Sequence, residues 1–208
     1  MKIYDLELSG HSHRVRLLAS LLGLSYQLIP VDLLNGAHKQ AEFLRKNPFG
    51  QVPALEDGDV SIFDSNAILV YLASKYDTNR TWLPEDVVQA AKVQIWLSKA
   101  ANELANGPAA ARLISVFGAK LDEQAVKAKA DALLSVMNQH LQDRVWFVGN
   151  NPTIADVALY SYTAHAPEGG IDLRKFPNVD RWLQSIEALP GFLEMPKTET
   201  DAKKALSL

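Results

Sequence analysis

The chain has 208 residues, of which 48% are hydrophobic and 22% are charged, and its formal net charge is −3. This composition is ordinary for a globular protein, and it offers no basic stripe for phosphate neutralisation, so we exclude nucleic acid as a partner. No apolar run approaches membrane-spanning length, no signal peptide is evident and cysteine is absent. We therefore expect a cytoplasmic protein, without a membrane segment, disulfides or a cysteine nucleophile.

Strand and helix patterns alternate over the first 77 residues. An apolar run over residues 3–8 predicts a strand, and Ser9-Gly10 ends it directly before a helical pattern. Further strands are predicted at residues 26–32, 52–56 and 60–63, and further helices at residues 38–46 and 65–76. The resulting order, β-α-β-α-β-β-α, indicates an α/β sheet with helices on its faces.

The remainder of the chain has no convincing strand pattern. Residues 77–81 are polar and interrupt the alternation, and we interpret residues 78–85 as a linker. Helical patterns follow at residues 85–106 and 123–142, from residue 153, and near residue 179. Gly107-Pro108 is expected to interrupt the first of these helices. Residues 86–208 are thus predicted to form an all-helical domain.

Hydroxyl and acidic side chains stand at three predicted helix starts, at Ser9, at Asp64-Ser65 and at Thr153. Ser9 and Ser12 lie among unpaired N–H groups at the positive end of a helix dipole, a place that suits an anion. Ser also commonly caps a helix, so the pattern alone leaves a structural role open for both. Thr153 and Asp156 fit a capping box, and we expect them to act in folding rather than in chemistry.

Four segments, in this order and spacing, resemble the cytosolic glutathione S-transferases over almost the full length of the chain. They are Ser9–Arg16, Asn47–Leu55, Phe63–Ile68 and Asn150–Asp156. Within the family, the chain is most similar in pattern to members with a catalytic serine, such as theta- or zeta-like proteins of the bacterial type. It implies a thioredoxin-like domain over residues 1–77 that binds glutathione, and a helical domain over 86–208 that contributes the electrophile pocket. It also implies a homodimer that uses glutathione as co-substrate, with no permanently bound cofactor and no metal.

The resemblance implies that the Ser9 hydroxyl donates a hydrogen bond to the glutathione sulfur and favours its thiolate. Ser12 is the second candidate for this role, or else the N-cap of the helix. Other members of the family use a tyrosine on the first strand, but Tyr4 lies about 16 Å from Ser9 along an extended chain. We therefore interpret Tyr4 as structural.

The resemblance also implies the contacts with the rest of glutathione. A cis bond at Val52-Pro53 would free the Val52 backbone to pair with the cysteinyl residue. Ser65 and the helix N-terminus would hold the γ-glutamyl carboxylate, and Asp64 would face the ammonium. Three residues are candidates for binding the glycine carboxylate: His38, Lys39 and Gln51.

Further residues are expected around the electrophile and at the dimer interface. Leu8 and His11 would edge the electrophile pocket. Arg112 would either contact an anionic substrate or close a salt bridge. Phe49 would insert into the partner subunit as an apolar key, or pack within its own chain.

The resulting hypothesis is transfer of the glutathione thiolate to a small electrophile. One alternative is a glutathione-dependent isomerase, although that subgroup has Ser-Ser-Cys-Ser where this chain has Ser-Gly-His-Ser at residues 9–12. Glutathione-dependent peroxide reduction is another alternative. A third is an interaction module that keeps the fold without turnover, as some relatives do.

Overall fold

A mixed four-stranded sheet and three helices organise the first 76 residues. In chain order the elements are β1 (Lys2–Asp5), α1 (Gly10–Leu21), β2 (Gln27–Pro30), α2 (Ala41–Leu44), β3 (Ala54–Asp57), β4 (Val60–Phe63) and α3 (Ser65–Tyr76). The strands lie in the order β2-β1-β3-β4; β2 is parallel to β1, whereas β3 is antiparallel to both β1 and β4. The computed structural model, which describes residues 1–206, thus confirms the predicted order of strands and helices.

Four of these elements are shorter than the sequence patterns predict, and one of them is β2, which spans only Gln27–Pro30. Strand β1 stops at Asp5, where its partner on β2 is Pro30, the last residue of that strand. Strand β3 begins at Ala54 because Pro53 has no N–H to contribute to a ladder. The helix predicted over residues 38–46 divides into a 3₁₀ turn and the short α2. As a result, loop residues follow β1 and precede β3 at the same end of the sheet.

The chain beyond residue 86 is helical, and within its described part it contains no strand. Residues 77–86 join α3 to α4 and form neither helix nor strand. The elements are α4 (Val87–Lys99), a π-helical segment (Ala100–Ala109), α5 (Ala110–Phe117), α6 (Glu123–His140), α7 (Ile154–Ala164), α8 (Pro177–Glu187) and α9 (Asp201–Ala205). No helix within residues 1–206 is both long and apolar enough to cross a membrane.

The prediction that Gly107-Pro108 interrupts a helix is wrong. The chain remains helical from Val87 to Phe117, and the ten-residue π segment absorbs Pro108. A π-helix changes the spacing of its hydrogen bonds, so a residue without an N–H can be accommodated without ending the helix. Gly107 is needed for a different reason: a Cβ there would lie 2.9 Å from the backbone nitrogen of Ala130 in α6.

The start of α7 confirms the predicted capping box. Asp156 accepts hydrogen bonds from the Thr153 amide at 2.8 Å and the Thr153 hydroxyl at 3.1 Å. It also accepts from the Phe147 amide and the Trp182 indole, both at 3.0 Å. Burial raises the pKa of Asp156 to about 6, although these bonds act in the opposite direction. Asp156 therefore joins α7, α8 and the preceding loop at one buried point.

Helix α7 is the central element of the core. Ten of its eleven residues are buried, and it packs against α1, α3 and α4. Apolar side chains from the sheet domain and from the helical domain form one continuous cluster around it. The contact between α1 and α7 fixes the first turn of α1 against the helical domain, and the candidate site lies at this junction.

Candidate active site

A cavity of about 730 Å³ lies between the loops at the edge of the sheet and the helical domain. This volume is within the range typical of small-molecule sites. Most of the predicted site residues line it: Leu8, Ser9, His11, His38, Gln51, Val52, Pro53, Asp64, Ser65 and Arg112. Two predicted residues do not, Ser12 and Lys39. The structure therefore brings together residues that are up to about a hundred positions apart in sequence.

Ser9 occupies the N-cap of α1 and lines the cavity. Its extended backbone, with φ −84° and ψ 118°, lets the Oγ atom accept a hydrogen bond from the Ser12 amide at 3.3 Å. The hydroxyl donates its own proton to no group within residues 1–206. Ser9 thus presents a free O–H at the positive end of a helix dipole.

Ser12 is not the N-cap of α1, one of the two roles predicted for it. The N-cap is Ser9, and Ser12 contributes only its backbone N–H to that cap. The Ser12 side chain is fully buried, lies outside the cavity lining, and its hydroxyl finds no partner within residues 1–206. The reason is the helical period: three residues after the cap, the side chain points back towards the protein interior.

The start of α1 gives the cavity one polar region, and the start of α3 gives it a second. Asp64 caps this helix, accepting from the Asn66 and Ala67 amides at 2.9 and 3.0 Å, and its φ is +69°. The adjacent Ser65 is buried and accepts a hydrogen bond from Arg14 Nη1 at 3.2 Å. The bond between Val52 and Pro53 is cis, as predicted.

Arg14 supports this end of the cavity from beneath. It is fully buried, and its Nη1 donates to Asn66 Oδ1 at 2.9 Å as well as to Ser65. Burial lowers the pKa of Arg14 to about 10, so the guanidinium remains charged at neutral pH. A buried positive charge therefore lies directly behind the Ser65 hydroxyl.

The candidates for the glycine end of a ligand divide into two groups. His38 and Gln51 line the cavity, and the Gln51 carbonyl is held by the Asn47 amide group at 2.7 Å. Lys39 is exposed and is not among the residues that line the cavity, but its Nζ lies beside Gly50, which does line it: a Cβ on Gly50 would be 3.0 Å from that nitrogen.

Arg112 forms a salt bridge, one of the two alternatives predicted for it. Its Nε lies 2.5 Å from Glu168 Oε2, and its Nη1 donates to the Leu8 carbonyl at 2.8 Å. Glu168 also accepts from His165 Nδ1 and from the Thr198 amide. Burial raises the pKa of Glu168, but these bonds and the Arg112 charge outweigh it and lower the pKa overall. Arg112 thus ties the Leu8 loop to the helical domain.

The helical side of the cavity is apolar. Its residues are Ala105, Ala109, Leu113, Phe117 and Tyr162. Leu113 and Phe117 are 43% and 46% exposed, so they form the mouth of the cavity. His11 faces the Tyr162 ring edge-on, with centroids 5.0 Å apart. Desolvation and then the Arg14 charge lower the pKa of His11 to about 3, which leaves its ring neutral.

Tyr162 was not expected at the site, because the pattern of its helix is almost uniformly apolar. The signal that relates it to the site is Gly10. A Cβ on Gly10 would lie 2.7 Å from Cε1 and Cζ of the Tyr162 ring, so only glycine admits the ring at this place. Within residues 1–206, no cluster of three or more His, Asp or Glu side chains could hold a metal ion.

Comparisons with known proteins agree on one family. The family models for the N-terminal and the C-terminal domain of glutathione S-transferase match residues 1–74 and 99–190. Glutathione S-transferase 3 of Zea mays is 35% identical over 204 residues, covering 92% of this chain and 91% of the relative. Human glutathione S-transferase theta-2 is 31% identical, covering 88% and 79%.

Solved structures give the same result. A glutathione S-transferase from Pseudomonas fluorescens superposes with a TM-score of 0.88 at 32% identity, covering 93% of this chain and 98% of that one. A glutathione transferase homologue from a Drosophila species, with bound glutathione, has a TM-score of 0.83 at 31% identity, covering 91% and 88%. Plant, insect, bacterial and human proteins match at similar identity, so these comparisons do not single out a theta- or zeta-like subclass. The chain belongs to the glutathione S-transferase family.

Proposed function

We propose that this protein is a glutathione S-transferase that binds glutathione in the cavity and transfers its thiolate to a small electrophile. The observation that carries the proposal is the hydrogen bonding of the Ser9 hydroxyl. Its oxygen already accepts the Ser12 amide, and its proton has no acceptor within residues 1–206. A sulfur at this point of the cavity would receive that proton as a hydrogen bond, and the bond is stronger when the sulfur is anionic.

The energies involved are sufficient for activation. Lowering a thiol pKa from about 8.5 to about 6.5 requires roughly 2.7 kcal/mol of preferential stabilisation of the thiolate. One hydrogen bond to a charged group contributes about 1.5–3 kcal/mol, and a helix N-terminus adds about 0.3–1 kcal/mol. Ser9 and α1 together can therefore account for the shift. The serine does not have to take the proton itself.

The rest of glutathione fits a polar path along the cavity. We assign the γ-glutamyl carboxylate to Ser65 and the α3 N-terminus, because Arg14 places a buried positive charge behind that hydroxyl. The exposed Asp64 carboxylate would face the ammonium. The backbone of Val52 would pair with the cysteinyl residue, as in the addition of a short strand. His38 and Gln51 would receive the glycine carboxylate.

The first experiment is an ultraviolet difference spectrum of glutathione added to the protein near neutral pH. A saturable thiolate band, together with conjugation of a model electrophile, would support the proposal. Binding by calorimetry without the band would indicate a protein that holds glutathione without activating it. Ser65→Ala should weaken glutathione binding at least tenfold, because it removes a hydrogen bond to a charged group. Unchanged affinity in Ser65→Ala would contradict the assignment of the γ-glutamyl end.

We further propose a homodimer in which Phe49 inserts into the partner subunit. Phe49 is 69% exposed, and its only aromatic neighbour within residues 1–206 is Phe63, at a centroid distance of 5.8 Å. An exposed aromatic ring on a loop is an unfavourable arrangement that a partner surface would relieve. Phe49→Ala should therefore shift the protein towards monomer in sedimentation. Val60→Ala, at another exposed apolar residue, is the control. We place the protein in the cytoplasm.

A further inference from the structure

Tyr162 lies where the electrophile and the sulfur have to meet. It belongs to α7, lines the cavity and is only 7% exposed. Its ring lies directly against Gly10, the first residue of α1 and the neighbour of Ser9 in sequence. A residue of the helical domain is thus in contact with the turn that carries the proposed thiolate donor.

The Tyr162 hydroxyl is free. It forms no hydrogen bond within residues 1–206, and its oxygen is not among the buried polar atoms that solvent cannot reach. Because the side chain is otherwise buried and lines the cavity, the hydroxyl is exposed to the cavity. Tyr160, two residues earlier, shows the usual arrangement: its hydroxyl donates to Glu187 at 2.9 Å. Buried tyrosine hydroxyls normally find such a partner.

The ring is fixed by packing on more than one side. The His11 ring meets it at an interplanar angle of 75°, and the Arg14 guanidinium lies 6.0 Å from its centroid. Gly10 closes another side. A donor held in this way needs little reorganisation when charge develops nearby, which is the condition for electrostatic catalysis.

The surroundings of the hydroxyl limit the chemistry it can serve. The other residues of the helical wall, Ala105, Ala109, Leu113 and Phe117, carry no hydrogen-bonding side chain. Arg112 donates to Glu168 and to the Leu8 carbonyl, and its remaining Nη2 is out of reach of solvent and has no partner within residues 1–206. The wall therefore offers an apolar electrophile one neutral hydrogen-bond donor, and this donor belongs to a ring that lies against Gly10, next to Ser9.

We propose that Tyr162 is a catalytic residue that donates a hydrogen bond to the carbonyl oxygen of a small, apolar α,β-unsaturated aldehyde or ketone. This proposal rests on the proposed transferase function and names its substrate class. The thiolate sulfur forms a bond to the β-carbon, and the π electrons of the C=C bond shift until the carbonyl oxygen carries the negative charge. Tyr162 stabilises this enolate, which then takes a proton from water at the α-carbon. The hydroxide left behind is neutralised by the proton that the glutathione thiol released earlier.

The test compares Tyr162→Phe with the unsubstituted enzyme on two electrophiles. Cinnamaldehyde develops an enolate oxygen, whereas benzyl chloride reacts by displacement of chloride and forms no oxyanion. We expect kcat/KM for cinnamaldehyde to fall about ten- to hundredfold, the worth of one hydrogen bond to a charged oxygen. The value for benzyl chloride should stay within about twofold. Tyr160→Phe removes a hydroxyl from the same helix outside the cavity. It should leave kcat/KM unchanged for both electrophiles.

Every outcome bears on the inference. If kcat/KM falls equally for both electrophiles, the hydroxyl serves only to maintain the structure of the site. If kcat/KM falls for neither, the hydroxyl has no role in the reaction. Either result overturns the proposal. An unsubstituted enzyme that uses benzyl chloride but not cinnamaldehyde would overturn the substrate class and leave the transferase function intact. An enzyme that neither binds glutathione nor uses either electrophile would overturn both. Circular dichroism and thermal melts verify that each variant is folded.

Discussion

Replacing Ser9 by alanine tests the proposed mechanism most directly. The substitution removes one hydrogen bond to a charged sulfur, worth about 1.5–3 kcal/mol, which corresponds to about 1–2 pKa units of the bound thiol. If the bound thiol of the unsubstituted enzyme has a pKa of about 6.5, that of the variant becomes about 7.5–8.5. Near pH 6.5 the variant would then hold roughly 5- to 50-fold less thiolate.

The assay is the pH profile of kcat/KM with benzyl chloride, together with the ultraviolet titration of bound glutathione. The loss should be largest near pH 6.5 and should diminish towards about pH 9, where both enzymes hold mostly thiolate. Glutathione affinity should change far less than turnover, since Ser9 contacts only the sulfur in this arrangement. Ser9→Thr keeps the hydroxyl and should retain most of the activity.

Two results would refute this reasoning. The first is an unchanged thiol pKa in Ser9→Ala. The second is a severe loss in Ser12→Ala with only a mild loss in Ser9→Ala, which would reverse the assignment of the two serines. Because Ser9 also caps α1, its removal should cost about 0.5–2 kcal/mol of stability. Melting curves are therefore needed to show that the assay is run well below the unfolding temperature.

Three further predictions concern buried contacts. Asp156→Ala leaves four hydrogen-bond donors without their acceptor and should lower the free energy of unfolding by at least about 1 kcal/mol in chemical denaturation. Glu168→Gln removes the carboxylate that pairs with Arg112 and should cost about 3–5 kcal/mol, measured in the same way. Gly10→Ala places a Cβ 2.7 Å from the Tyr162 ring, so it should displace the ring and reduce cinnamaldehyde turnover more than benzyl chloride turnover in steady-state assays.

Each of these predictions has a result that would contradict it. For Asp156→Ala it is a denaturation midpoint equal to that of the parent. Glu168→Gln should be compared with Glu123→Gln, which breaks an exposed pair and should cost less than about 1 kcal/mol; equal costs would contradict the role given to burial. Gly10→Ala with unchanged selectivity would mean that the ring tolerates the added methyl group.

Patterns over short stretches of sequence predicted most of the fold. The order of strands and helices and the capping box at Asp156 depend on residues close together in the chain. The cis bond at Val52-Pro53 was expected from the family resemblance and not from a local pattern. Strand ends were less predictable, because a strand ends where its partner ends. The apolar pattern over residues 3–8 cannot reveal that β1 loses its neighbour at Pro30.

The helical interruption shows a second limit. Gly107-Pro108 usually ends a helix, and the local pattern contains nothing against that interpretation. The outcome depends on α6, whose backbone at Ala130 packs so closely that the glycine is required, and on the π spacing that accommodates Pro108. Local propensity therefore predicted an interruption where the chain in fact remains helical.

In the site, too, contacts between residues close in sequence were predictable, and contacts between distant residues were not. The role of Ser9 as N-cap can be anticipated from its position before a helix, whereas Arg112 had two open roles until its partner was known. That partner is 56 residues away, and the Leu8 carbonyl that Arg112 also binds is 104 residues away. Tyr162 was not anticipated, because its helix pattern indicates only a buried face.

The junction of α1 with α7 suggests why the free hydroxyls of Ser9 and Tyr162 occur together. Gly10 is a poor residue for a helix, costing up to about 1 kcal/mol relative to alanine, so its presence in the first turn needs a compensating contact. The Tyr162 ring supplies that contact, and it occupies the space that a side chain at residue 10 would fill. Packing alone would be served by phenylalanine at position 162, which leaves the hydroxyl unexplained. Tyr162 lines the cavity beside the helix start that Ser9 caps, and the Tyr162→Phe comparison therefore measures the one part of this contact that packing does not require.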